Sequence, residues 1–361
     1  MKTATESKMN DAFPSYDAEK DTIVYHAPCF DGLISTVVAR DYLENSRGWE
    51  ISNFIPVKYN LPETWLDEPL PGRNAAIVDF LYHPKAKFWV DHHGTTFLDE
   101  KPGGKPSKAR ADYEASVHLN SRTLIYDKTS PSGALLLWNH VKHEVSDHER
   151  FAEMVTWANR TDSANYENAE QGVFGDEPAL RIATALGSGT KIEPEHLRNI
   201  IDALKVGTLA EVAALTMVLD RFIAAREKNE KGLEVIRKRM RVSDDGLGVY
   251  EADAADGVTL PRYGPFLLHP EIRYMLSLVH GEEGAKISAS RNPWGPPTNA
   301  PLGQIFSGKN MEGKYRGGGH HPVGAVLIPK DLGREHAREV FREILVEIRE
   351  AERKHAVGLG R

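Results

Sequence analysis

The first 126 residues carry five apolar runs too short to be ordinary helices, and most of them end beside a residue capable of chemistry. The run that begins at Thr22 (TIVYH) leads to a turn ending in Asp31-Gly32 and then to apolar residues at helical spacing, which predicts strand, loop and helix. Ile51 to Val57, Ala75 to Val78 and Lys87 to Val90 predict three further strands, and Thr123 to Tyr126 a fifth. This succession predicts an α/β fold whose N-terminal domain is a mostly parallel sheet with flanking helices. In an open sheet of that kind the loops at the carboxyl ends of the strands form the ligand crevice. His26, Asp31, Asp79, Asp91, His92 and His93 are therefore expected to converge. One connection is in tension with this, because about seven residues separate Asp79 from the next strand and a parallel crossover usually takes a dozen or more. Either that crossover is abbreviated or the two strands are not neighbours.

The remainder of the chain needs a second domain. At 361 residues it suits two domains of ordinary size, and an apolar content of 40% with 27% charged residues excludes wholesale disorder. Residues 1–20 read as a polar, poorly ordered lead-in without a signal peptide's apolar segment, 21–225 as the first domain, 226–245 as a helical linker, and 246–352 as a smaller α/β domain. The stretch Lys101 to Ser121 reads as a surface insertion. Ser130 with Pro131 is expected to open the next helix, and Glu149 to Asn159 a further one that delivers Asp162 at its end. Thr208 to Arg241 reads as one long helix, apolar first and charged later. A net charge of −7 argues against a uniformly basic surface for long nucleic acid. No apolar run approaches the ~20 residues of a membrane span, and a single cysteine cannot form an internal disulfide. A cytoplasmic location is the expectation.

Two constellations carry chemistry. Asp79 and Asp91-His92-His93 follow apolar strands, where ionised groups need partners or a metal. An aspartate capping a turn would explain any one of them but not the set. With His26, Asp31 and Asp162 the inventory suits two divalent cations, and mixed oxygen and nitrogen ligands favour Mn²⁺ or Mg²⁺ over structural zinc. The second constellation is Gly317-Gly318-Gly319-His320-His321, whose glycines would let backbone N–H groups approach an anion while a histidine donates to it. A flexible hairpin loop is the plain alternative. Arg291, after the apolar run ISAS, has a guanidinium able to clamp a phosphate through both arms, although taken alone it reads as a surface arginine.

Taken in order, HAPCFDG, IVDF, VDHHG, TDSA, SASR and GGGHHPVGA resemble the DHH phosphoesterases with a DHH-associated C-terminal domain, over about residues 22–330. Known members of that family include RecJ-like single-strand exonucleases, nanoRNases and phosphodiesterases of cyclic dinucleotides or their linear products. The resemblance implies a phosphoesterase domain and a substrate domain with the active site in the cleft between them. It implies that His26 holds a first Mn²⁺ and Asp31 a second, that Asp79 bridges both, and that His92 and Asp162 complete the second. His93 would sit beside the metals, while Arg291 and Gly317 to His320 would bind substrate. Cys29 stands where family members commonly have an aspartate, so it either ligates the first metal as a thiolate or points away. The expected activity is hydrolysis of phosphodiester or phosphomonoester bonds in small nucleotides or short single-stranded oligonucleotides. The rivals are a RecJ-like exonuclease and a catalytically weak nucleotide-binding regulator. A homodimer is left open.

Overall fold

Alternating side chains explain the first sheet. Ile23 and Tyr25 of β1 (Asp21–His26), Ala76 and Val78 of β3 (Ala75–Val78), and Phe88 and Val90 of β4 (Phe88–Asp91) join one core cluster. Val24, Ile77 and Trp89, the residues between them, join a second. Both faces are therefore buried, as a parallel sheet requires. In the computed structural model, which describes residues 16–59, 64–98, 105–119, 122–256, 260–311 and 314–358, β2 (Ile51–Val57) and β5 (Thr123–Tyr126) complete a five-stranded, all-parallel sheet. Its order is β2-β1-β3-β4-β5.

The abbreviated crossover is real. β3 and β4 are hydrogen-bonded parallel neighbours, joined by residues 79–87 without a helix. Four-residue strands make this feasible, since the chain has only ~13 Å to travel back and nine extended residues reach about 30 Å.

Helices cover the first face. α1 (Phe30–Arg47) buries Leu33, Ile34, Val37 and Val38 and ends at Gly48 in the left-handed conformation, which a glycine adopts without strain. Asp31 and Gly32 lie in its first turn, where a turn was expected. The stretch read as a surface insertion contains α2 (Lys108–Ser116), capped by Ser107, whose hydroxyl accepts the Arg110 N–H. Residues 101–104 and 120–121 of that stretch lie outside the described residues. α3 (Gly133–Val141) is capped by Ser132, not Ser130: the Ser132 hydroxyl accepts from Leu135 N at 3.2 Å. α4 (His148–Asp162) extends through Asp162 instead of stopping before it. α5 (Ala169–Phe174), α6 (Pro178–Leu186) and α7 (Pro194–Val206) follow. The long helix expected from Thr208 is interrupted after α8 (Leu209–Ala213) and resumes as α9 (Thr216–Arg239).

The chain divides into two compact units. The first contains Met1–Asn165 and Asp176–Ala224, and the second Tyr166–Gly175 and Ala225–Arg361. The lead-in residues 1–15 lie outside the described residues. In the second unit seven strands take the order β10-β11-β12-β9-β8-β7-β6. These are β6 (Arg241–Val242), β7 (Leu247–Asp253), β8 (Tyr274–His280), β9 (Gly284–Arg291), β10 (Asn310–Met311), β11 (Tyr315–His320) and β12 (Val323–Pro329). Only β7 and β8 pair parallel. α10 (Gly264–Leu268) and α11 (Leu302–Ser307) lie between strands. α12 (Gly333–Gly358) buries Ala337, Ile344 and Ile348 in the same cluster as Leu276, Leu278, Ile287 and Ile328. Among the described residues no helix is long and apolar enough to cross a membrane.

Candidate metal centre

Strand order places the site. β1 has β2 on one side and β3 on the other, so the chain changes direction across the sheet there, and ligands bind beyond the carboxyl ends of strands at such a point. His26 ends β1, Asp79 follows β3, and Asp91 ends β4 just before His92 and His93. All lie in the first unit, together with Cys29, Asp31 and Asp162.

The geometry converges on buried carboxylates. Around His92 Nε2 stand Asp79 Oδ1 at 3.5 Å, Asp162 Oδ2 at 3.5 Å and Asp31 Oδ2 at 3.8 Å. His26 Nδ1 is 3.5 Å from Asp79 Oδ2. Donor atoms fall into three groups, each within 4.8 Å: His26, Cys29 and Asp79; Asp79, His92 and His93; and Asp31, His92 and Asp162. Asp79 is shared between two groups, and His92 likewise.

Partners outside the cluster orient these ligands. His92 Nδ1 is 3.0 Å from the Ser130 carbonyl, which fixes Nδ1 as the donor and leaves the Nε2 lone pair for the cluster. Ser130, expected to be a cap, therefore serves the site. His93 Nδ1 lies 2.7 Å from Asp91 Oδ1, and the same oxygen accepts the His92 N–H at 2.8 Å. Asp31 accepts from Gly133 N at 2.7 Å and Ala134 N at 3.0 Å, so its carboxylate sits on the N-terminus of α3 as well as in the first turn of α1.

Two glycines keep the carboxylates close. A Cβ on Gly32 would lie 2.2 Å from the His26 carbonyl oxygen, and one on Gly133 would lie 3.2 Å from both Asp31 Oδ2 and Asp79 Oδ1. Asp79 itself has a left-handed backbone, with φ of 55°, while its N–H remains in the sheet as a donor to Val90 O.

Charge is unevenly distributed here. Burial pushes the Asp31 carboxyl well above its usual range, and Asp79 and Asp162 add repulsion. Burial acts the same way on Asp79, but His26, His92 and His93 overcome it and hold it at about 2. Burial opposes charge on His92, yet Asp79, Asp31 and Asp162 raise it to about 10. His93 is also raised, by Asp91 and Asp79 against burial. The Cys29 thiol is pushed up by burial and by Asp79, Asp31 and Asp162, so it is a poor thiolate without a cation beside it.

A cation fits these residues. Both oxygens of buried Asp79, His26 Nδ1 and His92 Nε2 have no hydrogen-bond partner, although buried polar atoms are normally paired. Carboxylates around a shared imidazole form a donor set that needs positive charge at its centre.

The expected substrate residues Arg291 and Gly317 to His320 belong to the second unit. The glycine tract is the strand β11 rather than a loop. Gly317 N donates to Lys309 O, so that amide is taken, and a Cβ there would lie 2.1 Å from Phe306 O. Gly318 faces open space and, with Gly319, lines a cavity of about 530 Å³ that also contains Arg262, Lys286 and Ser288. Arg291 is exposed at the end of β9, and the His320 side chain is outside the described residues. Sequence reasoning missed the parts played by Gly32, Gly133 and Ser130. The Asp31-Gly32 pair was the one available signal, and it was read as a turn.

No family model matches the chain, and none of the curated proteins matches it in sequence. Among solved structures it is similar to PggH, a pGpG-specific phosphodiesterase from Vibrio cholerae, with a TM-score of 0.62 and 17% identity over 91% of this chain and 100% of that one. The DHH domain of a protein described as a member of a family of ribosomal proteins aligns with a TM-score of 0.59 and 14% identity, over 92% and 87% of the two chains. RecJ from Thermus thermophilus in complex with Mn²⁺ aligns at 0.51 and 13%, over 96% of this chain but only 53% of RecJ. At such identities the likeness is one of fold, and the fold of this chain is that of the DHH-domain proteins.

Proposed function

We propose that the chain is a metal-dependent hydrolase of phosphoester bonds in small nucleotides or short oligonucleotides. The observation that carries this reading is the set of buried, unpartnered donors on Asp79, His26 and His92 at the carboxyl ends of β1, β3 and β4. His26, Cys29 and Asp79 would hold one cation, Asp31, His92 and Asp162 a second, and Asp79 would reach both. Bound Mn²⁺ or Mg²⁺ supplies positive charge opposite phosphoryl oxygens and makes water more acidic.

The chain's own residues do the rest. The peptide N–H groups at the start of α3 hold the Asp31 carboxyl group in place, and the Ser130 carbonyl holds the His92 tautomer. His93, whose charged form Asp91 stabilises, can carry a proton on Nε2 and give it to a leaving oxygen. Arg291, Gly318, Gly319 and His320 of the second unit would bind substrate phosphate, without the Gly317 amide, which the Lys309 carbonyl occupies. The net charge of −7 favours few phosphates over a long polymer. Likeness to a dinucleotide phosphodiesterase over that protein's whole length supports the same choice.

The test is hydrolysis of two-, five- and twenty-nucleotide RNAs with Mn²⁺ and with chelator, at two salt concentrations. Chelator-sensitive turnover, fastest on the shortest chains and only weakly salt-dependent, is expected. Processive degradation of the twenty-mer with steep salt dependence would instead favour the exonuclease, and turnover undiminished by metal stripping would exclude the proposed chemistry.

A further inference from the structure

Among the described residues, aromatic rings are almost all sheltered. Among the described residues Tyr59 is the one Phe, Tyr or Trp that is exposed, at 44% of its surface. It follows β2, the strand beside β1, so it stands at the same carboxyl-end edge as His26. Its ring centroid is 4.8 Å from that of His26 and 5.7 Å from that of His93, with Phe80 behind it at 5.1 Å. An exposed phenol ring resting on two imidazoles of a charged cluster gains little for the core, and it leaves an apolar surface beside the most polar place in the first unit.

We propose that Tyr59 is a stacking platform for the base of a nucleotide whose phosphate lies at the cluster, so that the site selects nucleoside phosphoesters over base-free phosphate chains. This rests on the phosphoesterase reading of the cluster. Every base has a π face, and stacking on an aromatic side chain binds it with little dependence on its identity. Phe80 fixes the ring from behind, which lowers the entropy lost when a base settles on it.

The experiment crosses protein and substrate. Wild type, Tyr59→Leu, Tyr59→Phe and Tyr59→Trp are compared on an RNA dinucleotide, on its two singly abasic counterparts and on inorganic tripolyphosphate, with Mn²⁺. Removing the stacked base should weaken wild-type kcat/KM by about ten- to a hundredfold. Tyr59→Leu should lose the same factor on the intact dinucleotide and nothing further on that abasic one, while the Phe and Trp variants stay near wild type. Tripolyphosphate should be a poor substrate that ignores the substitution. Calorimetric binding of the same ligands reads the stacking even where no hydrolysis is detected, so failure of the chemistry and failure of the platform give different results. Equal losses on intact and abasic dinucleotides, or no effect of Tyr59→Leu on binding or turnover, would overturn the proposal.

Discussion

Gly133→Ala separates the geometry of the carboxylates from the stability of the fold. The added Cβ would lie 3.2 Å from Asp31 Oδ2 and from Asp79 Oδ1, and 3.4 Å from Asp79 Cβ, so the neighbours must yield by a few tenths of an ångström. Asp31 cannot swing aside freely, because it accepts the N–H groups of Gly133 and Ala134; both survive the substitution, so the crowding strains these bonds by about 1–2 kcal/mol without breaking them. Against this, alanine is favoured over glycine in a helix by up to about 1 kcal/mol. The two effects nearly offset, so stability should change by about 1 kcal/mol or less and Tm by no more than about 4 °C. Activity has no such compensation. A misplacement of 1 Å can lower a rate about a hundredfold, so a few tenths should lower kcat about tenfold. Ser132→Ala is the control: it removes the cap of the same helix, costs about 1 kcal/mol, and leaves both carboxylates where they are. Calorimetric Tm and Mn²⁺-dependent hydrolysis of an RNA dinucleotide would be measured on both variants. Wild-type kcat in Gly133→Ala, or an equal loss in Ser132→Ala, would refute the reasoning.

Three further outcomes are expected. Asp79→Asn keeps a side chain that tolerates the left-handed backbone but removes the shared charge, so turnover should fall about 10³-fold or more and added Mn²⁺ should no longer raise Tm; turnover within tenfold of wild type would count against a shared ligand. Asp91→Asn removes the partner that raises His93, so the high-pH limb of the rate profile, where the proton donor is lost, should move to lower pH, and the rate should drop by about ten- to a hundredfold; an unmoved limb would exclude His93 as the donor. His83 is fully buried, accepts the Lys85 N–H, and is lowered by burial to about 4, so the fold prefers its neutral form. Its contribution is complete above pH ~6.5 and is lost as pH falls toward about 4, about 3 kcal/mol in all, which urea unfolding of wild type and His83→Gln across that window would reveal as a steep and a flatter profile.

The strands were legible because each is a short apolar run that ends in or just before a polar residue, and β2, β3 and β5 have the bounds that their residues suggest. What was hidden depends on residues far apart in the chain. Nothing local in Asp31 announces that it accepts from Gly133 and Ala134, more than a hundred positions later. Gly32 looks like half of a turn, and only the nearness of the His26 carbonyl explains why it belongs in a helix. Ser130 and Ser132 are both adequate caps by type, and the orientation of His92 decides between them by taking the Ser130 carbonyl. The helix α2 was concealed by the glycines and prolines preceding it, although Ser107 caps it in the ordinary way. The convergence of His26, Asp31, Asp79, His92 and His93 was legible from the strand ends, whereas the parts that aim them were not.

The backbone at Asp79 has an evolutionary consequence. A residue with a side chain at φ of 55° is strained by about 1–3 kcal/mol, and glycine would occupy the same place without strain. Selection for the carboxylate and selection for a stable fold therefore oppose each other at this one position. In a lineage released from the chemistry, glycine at position 79 should be among the earliest changes to spread, since it relaxes the chain while erasing the ligand. Descendants of that kind would be recognisable as sturdier proteins that have retired from catalysis.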